Sequence, residues 1–303
     1  MAEKNIKTRS YHREKDFNRV GDFLIETYSP GKKFTNWLQP RWEYMHFHPF
    51  VWEIDLGKIG IFEENGMIVG VVNLESNERT AYFQIRPGYE SIKPLMFDYA
   101  EDNFQGISQS TGRLIRALYI HEDDDGLSSL ARSNGYERWR DFDETNSYYS
   151  LDRLIPQGSV PGEFRVQSLS EENDLHKINE VLWYGFDHEG SAPEEEIKGR
   201  RSMQKAPNFN KDLTMVVTNP DGNFISYCGM WVVTENRYAY LEPLATHLDY
   251  RRKGLGKAVV LESLRRAKAL GAEVAWVGSD IEFYRALGFE PTFKFKTWVK
   301  YLD

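Results

Sequence analysis

The sequence predicts an α/β fold built twice in tandem. Near the carboxyl end a strand, a glycine turn and a long amphipathic helix follow one another. A set of landmarks recurs at nearly constant spacing in the two halves. The length, 303 residues, is about twice that of a common domain.

In chain order, Glu64-Asn65-Gly66 reads as a tight hairpin turn between strands at 59–62 and 67–72. Its counterpart is Pro220-Asp221-Gly222, between strands at 214–217 and 224–228. Arg79-Thr80-Ala81-Tyr82 matches Arg237-Tyr238-Ala239-Tyr240. Gly112, ahead of a strand at 114–119, matches Gly271, and Gly135-Tyr136 matches Gly288-Phe289. Residues 151–162 hold two prolines and two glycines without periodicity and read as a linker. The expected division is therefore 1–152, a linker at 153–163, and 164–303. A strand starts at Phe164, with Ser168 or Ser170 capping the helix after it.

The most chemically specific stretch is Arg251-Arg252-Lys253-Gly254-Leu255-Gly256-Lys257. Before it, residues 238–246 are aromatic and apolar, suited to a buried strand. After it, Leu261, Leu264, Ala267 and Leu270 recur at helical spacing until Gly271. A basic glycine turn opening a helix offers free N–H groups and the positive end of a dipole, which suit a pyrophosphate. A triphosphatase loop would need Ser or Thr after Gly256-Lys257, where the chain has Ala258. A dinucleotide fingerprint would need glycine at 259, where Val259 stands. Further on, residues 272–277 read as a short buried strand and Ser279-Asp280 as a helix start. Tyr284-Arg285-Ala286-Leu287-Gly288-Phe289 ends that helix on a left-handed cap.

The Arg-x-x-Gly-x-Gly turn followed by Tyr-x-x-x-Gly-Phe resembles the acyl-CoA site of the GNAT superfamily of N-acetyltransferases. The resemblance is specific over about 212–291 and reaches 1–152 only through the internal repeat. It implies two tandem domains, each a mostly antiparallel mixed sheet flanked by helices. It also implies that acetyl-CoA is bound by the turn 251–257 and that Tyr284 lies beside the sulfur. In that fold the fourth strand carries a bulge and splays from the fifth, so Pro243 is expected at a bulge; an edge strand would also tolerate it. Leu244, Ala245 and Thr246 would then offer backbone N–H groups to the cofactor and to the oxyanion.

The expected reaction is transfer of an acetyl group to a primary amine of a small molecule by direct attack. Tyr284 would supply the thiol proton. Glu242 is the candidate base, because a carboxylate in an apolar strand needs either a partner such as Arg237 or a function. Asp187, His188 and Glu189 form a further polar cluster. The competing readings are a non-catalytic acyl-CoA-binding module and a protein lysine or amino-terminal acetyltransferase. Moved back by one repeat, the glycine turn falls on residues 93–98 and Tyr284 on Ala131, so the first copy is expected to bind no coenzyme A.

Composition sets limits. The net charge of −8 disfavours a nucleic-acid partner and mildly favours cationic substrates. No apolar run approaches a membrane span, and the opening Met-Ala-Glu-Lys carries no signal segment. Cys228 is the single cysteine and sits in an apolar run, which suggests a core residue in a reducing cytoplasm. The aromatic stretch 37–52 suits core packing or an acceptor cleft. His46 and His48 lack the spacing of metal ligands, so no metal is expected. Asp123-Asp124-Asp125 reads as a solvated turn. A homodimer is the candidate assembly.

Overall fold

Two copies of one topology make up the computed structural model, which describes residues 5–31, 33 and 35–302. The Met-Ala-Glu-Lys start, read above for a signal segment, lies outside the described residues. The first unit holds β1 (Lys7–Ser10), α1 (Arg13–Glu26), most of α2 (Gln39–Phe47), β2 (Gly60–Glu64), β3 (Met67–Asn73) and β4 (Thr80–Ile85). It continues with α3 (Lys93–Asn103), β5 (Gly106–Ile107), β6 (Leu114–His121), α4 (Asp125–Ser133) and β7 (Glu137–Arg138). The second unit holds β9 (Arg165–Ser168), α5 (Leu175–Gly185), α6 (Ile197–Met203), β10 (Met215–Thr218), β11 (Phe224–Val233) and β12 (Tyr238–Thr246). There follow α7 (Leu255–Ala269), β13 (Val274–Val277) and α8 (Glu282–Leu287).

Strand pairing shows why the chain reads as a repeat. In the first unit the order is β1-β2-β3-β4-β6, and in the second β9-β10-β11-β12-β13. Among the described residues each unit has one parallel pair in matching register: Thr80 faces Ala117 and Tyr82 faces Tyr119, as Tyr238 faces Val274 and Tyr240 faces Trp276. All other pairs within the units are antiparallel, so each sheet is mixed but mostly antiparallel. The landmarks fall on equivalent turns. Asn65-Gly66 and Gly222 have positive φ, as do Gly112 and Gly271.

The division differs from the expected boundary at 152. Two further strands, β8 (Glu144–Ser150) and β14 (Glu290–Tyr301), each change unit part-way, after Asn146 and after Pro291. Ser147 to Ser150 pair with Val277 to Val274 on β13, so this stretch completes the second sheet. Phe295 to Tyr301 pair with His121 to Ile115 on β6, which assigns the carboxyl-terminal strand to the first unit. Each strand follows its ladder partner and not its neighbour in sequence, which composition does not report. His46–Pro49 also belongs to the second unit.

α5 is capped by Asp174, which accepts from the His176 and Lys177 amides, and not by Ser168 or Ser170. α8 starts at Glu282 without a side-chain cap, and Asp280 pairs with Arg285 at 2.7 Å instead. Asp124 is no free turn residue: it caps α4 by accepting from the Leu127 amide at 2.9 Å. Trp37 and Trp42 are core residues, while Trp52 is exposed. Among the described residues no helix is long and apolar enough to cross a membrane.

The core of the second unit forms where α7 lays Val259, Val260, Leu264 and Ala267 on Met215, Cys228 and Leu241. Burial pushes the Cys228 thiol up to about 12, which makes it an inert core group. Burial, assisted by the Arg200 charge, pushes His48 in the same unit down to about 4. The folded state therefore keeps His48 neutral while the unfolded chain takes up a proton below pH ~6.5. Its contribution is complete above that pH and is lost as the pH falls towards 4. We expect a loss of about 2 kcal/mol between pH 7 and pH 5 from this group. Urea midpoints at the two pH values, compared with a His48→Gln variant, check it; an equal drop in the variant rules His48 out.

Candidate active site

The site begins with a defect in β12. Cys228 faces Leu244 and Met230 faces Leu241, so Gly229 alone lies opposite Glu242 and Pro243. This is a two-against-one bulge, and Pro243 sits in it, as expected, on an interior strand. The Glu242-Pro243 peptide is cis. Gly229 makes the bulge fit, because a Cβ there would lie 2.3 Å from the Glu242 carbonyl oxygen. Trp231 Nε1 donates to that same oxygen at 2.8 Å.

Beyond the bulge, β12 parts from its parallel neighbour. Pairing with β13 ends at Tyr240 and Trp276, although β12 runs on to Thr246. Alternation then decides which backbone groups face the gap. The His247 amide donates to Ile225 O, and Ser226 Oγ donates to Ala245 O, so residues 245 and 247 face β11. Leu244 and Thr246 face the other way. Of the three expected donors, Leu244 and Thr246 thus present N–H groups to the gap, while that of Ala245 is committed to the ladder.

The basic turn lies across this gap. A short 3-10 turn (Leu248–Tyr250) leads through Arg251, Arg252 and Lys253 to Gly254, the N-cap of α7. Gly254 has φ +79°, a left-handed conformation that glycine adopts without steric cost. The first helical bond runs from the Ala258 amide to Gly254 O, so the amides of Leu255, Gly256 and Lys257 precede the ladder. A Cβ on Gly256 would approach Thr246 Oγ1 to 3.1 Å, so the turn and the strand end nearly touch.

These parts line one cleft of 590 Å³ with Leu244, Ala245, Thr246, Arg251, Arg252, Gly254, Leu255, Gly256, Lys257 and Tyr284. Of the predicted turn only Lys253 is not on its wall; its ammonium sits 4.8 Å from the Tyr250 ring centre. Arg251 is on the wall, but its guanidinium is directed at protein acceptors: Thr246 O, Gly185 O and the Asp187 carboxylate. The sequence reading missed Gly185, Tyr250, Ile281, Phe283, Ala286 and Leu287 on the same wall. Phe283 and Leu287 flank the motif tyrosine and could have been included with it. Gly185 carries no local signal, because its approach to β12 is a tertiary contact.

Tyr284 is 7% exposed, and its ring meets Phe283 and Phe289 edge-on. The Phe289 amide returns to Tyr284 O at 3.0 Å across the left-handed Gly288, the cap expected from Gly288-Phe289. Burial, with the nearby Cys228 and Glu242 groups, pushes the Tyr284 phenol well above its usual value. Glu242, on the bulge, is half-buried with Oε2 shielded from solvent. Arg237, the alternative partner weighed for it, pairs with Glu273 at 2.8 Å. His188 stacks on Trp183 at 4.3 Å.

The equivalent place in the first unit is built differently. The Tyr136 amide returns to Ala131 O just as that of Phe289 returns to Tyr284 O, so alanine stands where the tyrosine would. Pro94 occupies the first turn of α3 and removes an N–H there. The Lys93 ammonium is held by Asp124 at 2.8 Å. The backbone edge of β4 is also taken: Asn36 Oδ1 accepts from the Ile85 amide at 2.8 Å while its Nδ2 donates to Ile85 O at 3.0 Å. A side-chain amide thus covers the edge that β12 leaves open. Among the described residues no group of three His, Cys, Asp or Glu is arranged to hold a metal.

A bulged strand that leaves its parallel partner, facing a glycine turn that opens a helix, is the architecture of the acetyltransferase class. The chain's residues 174–289 match the model of the acetyltransferase (GNAT) family. Over 186 residues the chain is 25% identical to mycothiol acetyltransferase of Saccharomonospora viridis, covering 57% of this chain and 60% of that protein's length. A tandem GNAT protein from the clavulanic acid biosynthesis pathway shares the fold over 98% of both chains, with TM-score 0.65 and 16% identity. A GNAT protein from Sphaerobacter thermophilus does so over 99% of this chain and 97% of its own, with TM-score 0.63 and 13% identity.

Proposed function

We propose that the protein is an N-acetyltransferase that uses acetyl-CoA to acetylate a primary amine of a small molecule. One observation carries this reading: the open edge of β12 and the pre-ladder amides of α7 line a single cleft. Such a cleft suits a ligand with a pyrophosphate at one end and amides along its arm. Bound there, acetyl-CoA would supply an acetyl group activated as a thioester. The amides of Leu255, Gly256 and Lys257, with Arg252, would hold the pyrophosphate. The amides of Leu244 and Thr246 would orient the arm and bind negative charge developing on the acetyl oxygen.

Tyr284 would hold a proton at its phenol oxygen and donate it to the leaving sulfur. Glu242 would accept the proton that the attacking amine must lose, directly or through water. The net charge of −8 favours a cationic acceptor. Asn36, Pro94 and Ala131 support a first unit that does not take coenzyme A. The single, buried cysteine suits a cytoplasmic setting.

Calorimetry with acetyl-CoA tests the reading. We expect one site per chain, lost in Gly254→Asp, whose side chain would put a carboxylate and a strained φ into the turn. Binding without turnover over a panel of amines and lysine peptides would favour a non-catalytic module. Turnover confined to the peptides would favour a protein acetyltransferase, and absence of binding would overturn the assignment.

A further inference from the structure

We infer that Arg251, the first residue of the Arg-x-x-Gly-x-Gly turn, is a positioning residue that braces the cleft wall and makes no contact with phosphate. The inference rests on the acetyl-CoA reading of the cleft. It comes from the side chain's partners, which belong to two segments: the end of β12, just before the turn, and the end of α5, far away in sequence. Nε donates to Thr246 O at 3.1 Å, at the end of β12. Nη2 donates to Gly185 O at 2.8 Å, at the end of α5, and reaches Asp187 Oδ1 at 2.8 Å. Nη1 donates to Asp187 Oδ2 at 3.2 Å. Every nitrogen of the fork therefore already faces an acceptor from the protein.

The acceptors are placed for this purpose. Gly185 runs so close to β12 that a Cβ would fall 2.6 Å from Ala245 Cβ and 3.1 Å from the Thr246 nitrogen. Asp187 has φ +61°, which turns the chain after α5 back towards the arginine. The Thr246 carbonyl held by Nε lies on the same side of the strand as the Thr246 amide, the one offered to the gap. Fixing that carbonyl fixes the direction of the donor. The planar fork serves three acceptors at once, which an ammonium on a flexible stem cannot do in the same geometry. Asp187 adds a negative charge next to a site meant for a polyanion. Electrostatics alone would disfavour it there, so its position is explained by the brace.

The two roles give opposite results in Arg251→Lys, Arg251→Ala, Asp187→Gly and the double variant Arg251→Ala/Asp187→Gly. Glycine at 187 keeps the positive φ without strain. The readouts are acetyl-CoA dissociation constants at low and high salt, the KM and kcat for acetyl-CoA, and melting temperatures as a folding check. A brace predicts that Lys and Ala at 251 weaken binding alike, about tenfold, with KM raised, kcat within about twofold and the salt dependence of wild type. It predicts that Asp187→Gly also weakens binding, and that the double variant is no worse than Arg251→Ala, because the two act through one contact. A direct phosphate contact predicts that Arg251→Lys stays near wild type, that Arg251→Ala flattens the salt dependence, and that Asp187→Gly tightens binding; any of these overturns the inference. Wild type that fails to bind acetyl-CoA would instead overturn the parent reading, so the two failures are distinct.

Discussion

Replacing Tyr284 by phenylalanine is expected to lower turnover by roughly 10²–10⁴ while leaving the affinity for acetyl-CoA within a few-fold. The change removes one oxygen and keeps the ring, so the edge-on contacts with Phe283 and Phe289 persist. What disappears is the proton held on the cleft wall. Burial and the Glu242 carboxylate raise the phenol above its usual value, so it stays protonated at neutral pH. It is then a weaker acid than a thiol of pKa roughly 8.5, so in the proposed role it would meet the leaving sulfur first as a hydrogen-bond donor. The sign for stability follows: the folded state prefers the protonated phenol, so this contribution is complete below pH ~10 and declines above it. An alkaline fall in rate below pH 10 would therefore belong to another group. Steady-state kinetics on Tyr284→Phe, with calorimetry alongside, decides the matter: unchanged kcat removes Tyr284 from the chemistry.

A second large effect is expected from Gly229→Ala, a position named by no motif. Its Cβ would stand 2.3 Å from a backbone oxygen, which cannot rotate away as a side chain could. Either β11 shifts or the bulge closes, at a cost of about 1–3 kcal/mol. The functional consequence should exceed the loss of stability, because the bulge sets the direction of the Leu244 and Thr246 amides. We expect acetyl-CoA affinity to fall at least tenfold in protein that is still folded, and the denaturation midpoint to drop. Gly162→Ala, in open surroundings and without a positive φ, is the control and should move neither. If Gly229→Ala matches that control, the bulge does not shape the cleft.

Much of this was written locally. The strand at 238–246, the helix after Gly254, the left-handed cap at Gly288 and the recurring turns all follow from short-range rules. Periodicity, glycine at positive φ and proline in a strand act over a few residues, so they survive in the sequence alone. The resemblance to the acetyltransferase motifs, and not these rules, pointed to Leu244, Ala245, Thr246 and Tyr284 and to a bulge at Pro243.

Other features depended on contacts between distant segments. Nothing near residue 295 announces that its ladder partner is His121, or near residue 147 that its partner is Val277. Hydrogen-bond ladders carry no composition of their own, so the sharing of β8 and β14 between the units was hidden. Arg251 shows the same limit at the site. Its charge and place in the motif suggested phosphate, whereas its direction was decided by Gly185 and Asp187, brought near by the fold. Short-range chemistry, with the resemblance, thus pointed to residues that line the cleft. The tertiary structure decided which of those groups face the cleft and which hold its wall, because burial and acceptor geometry exist only once the segments meet.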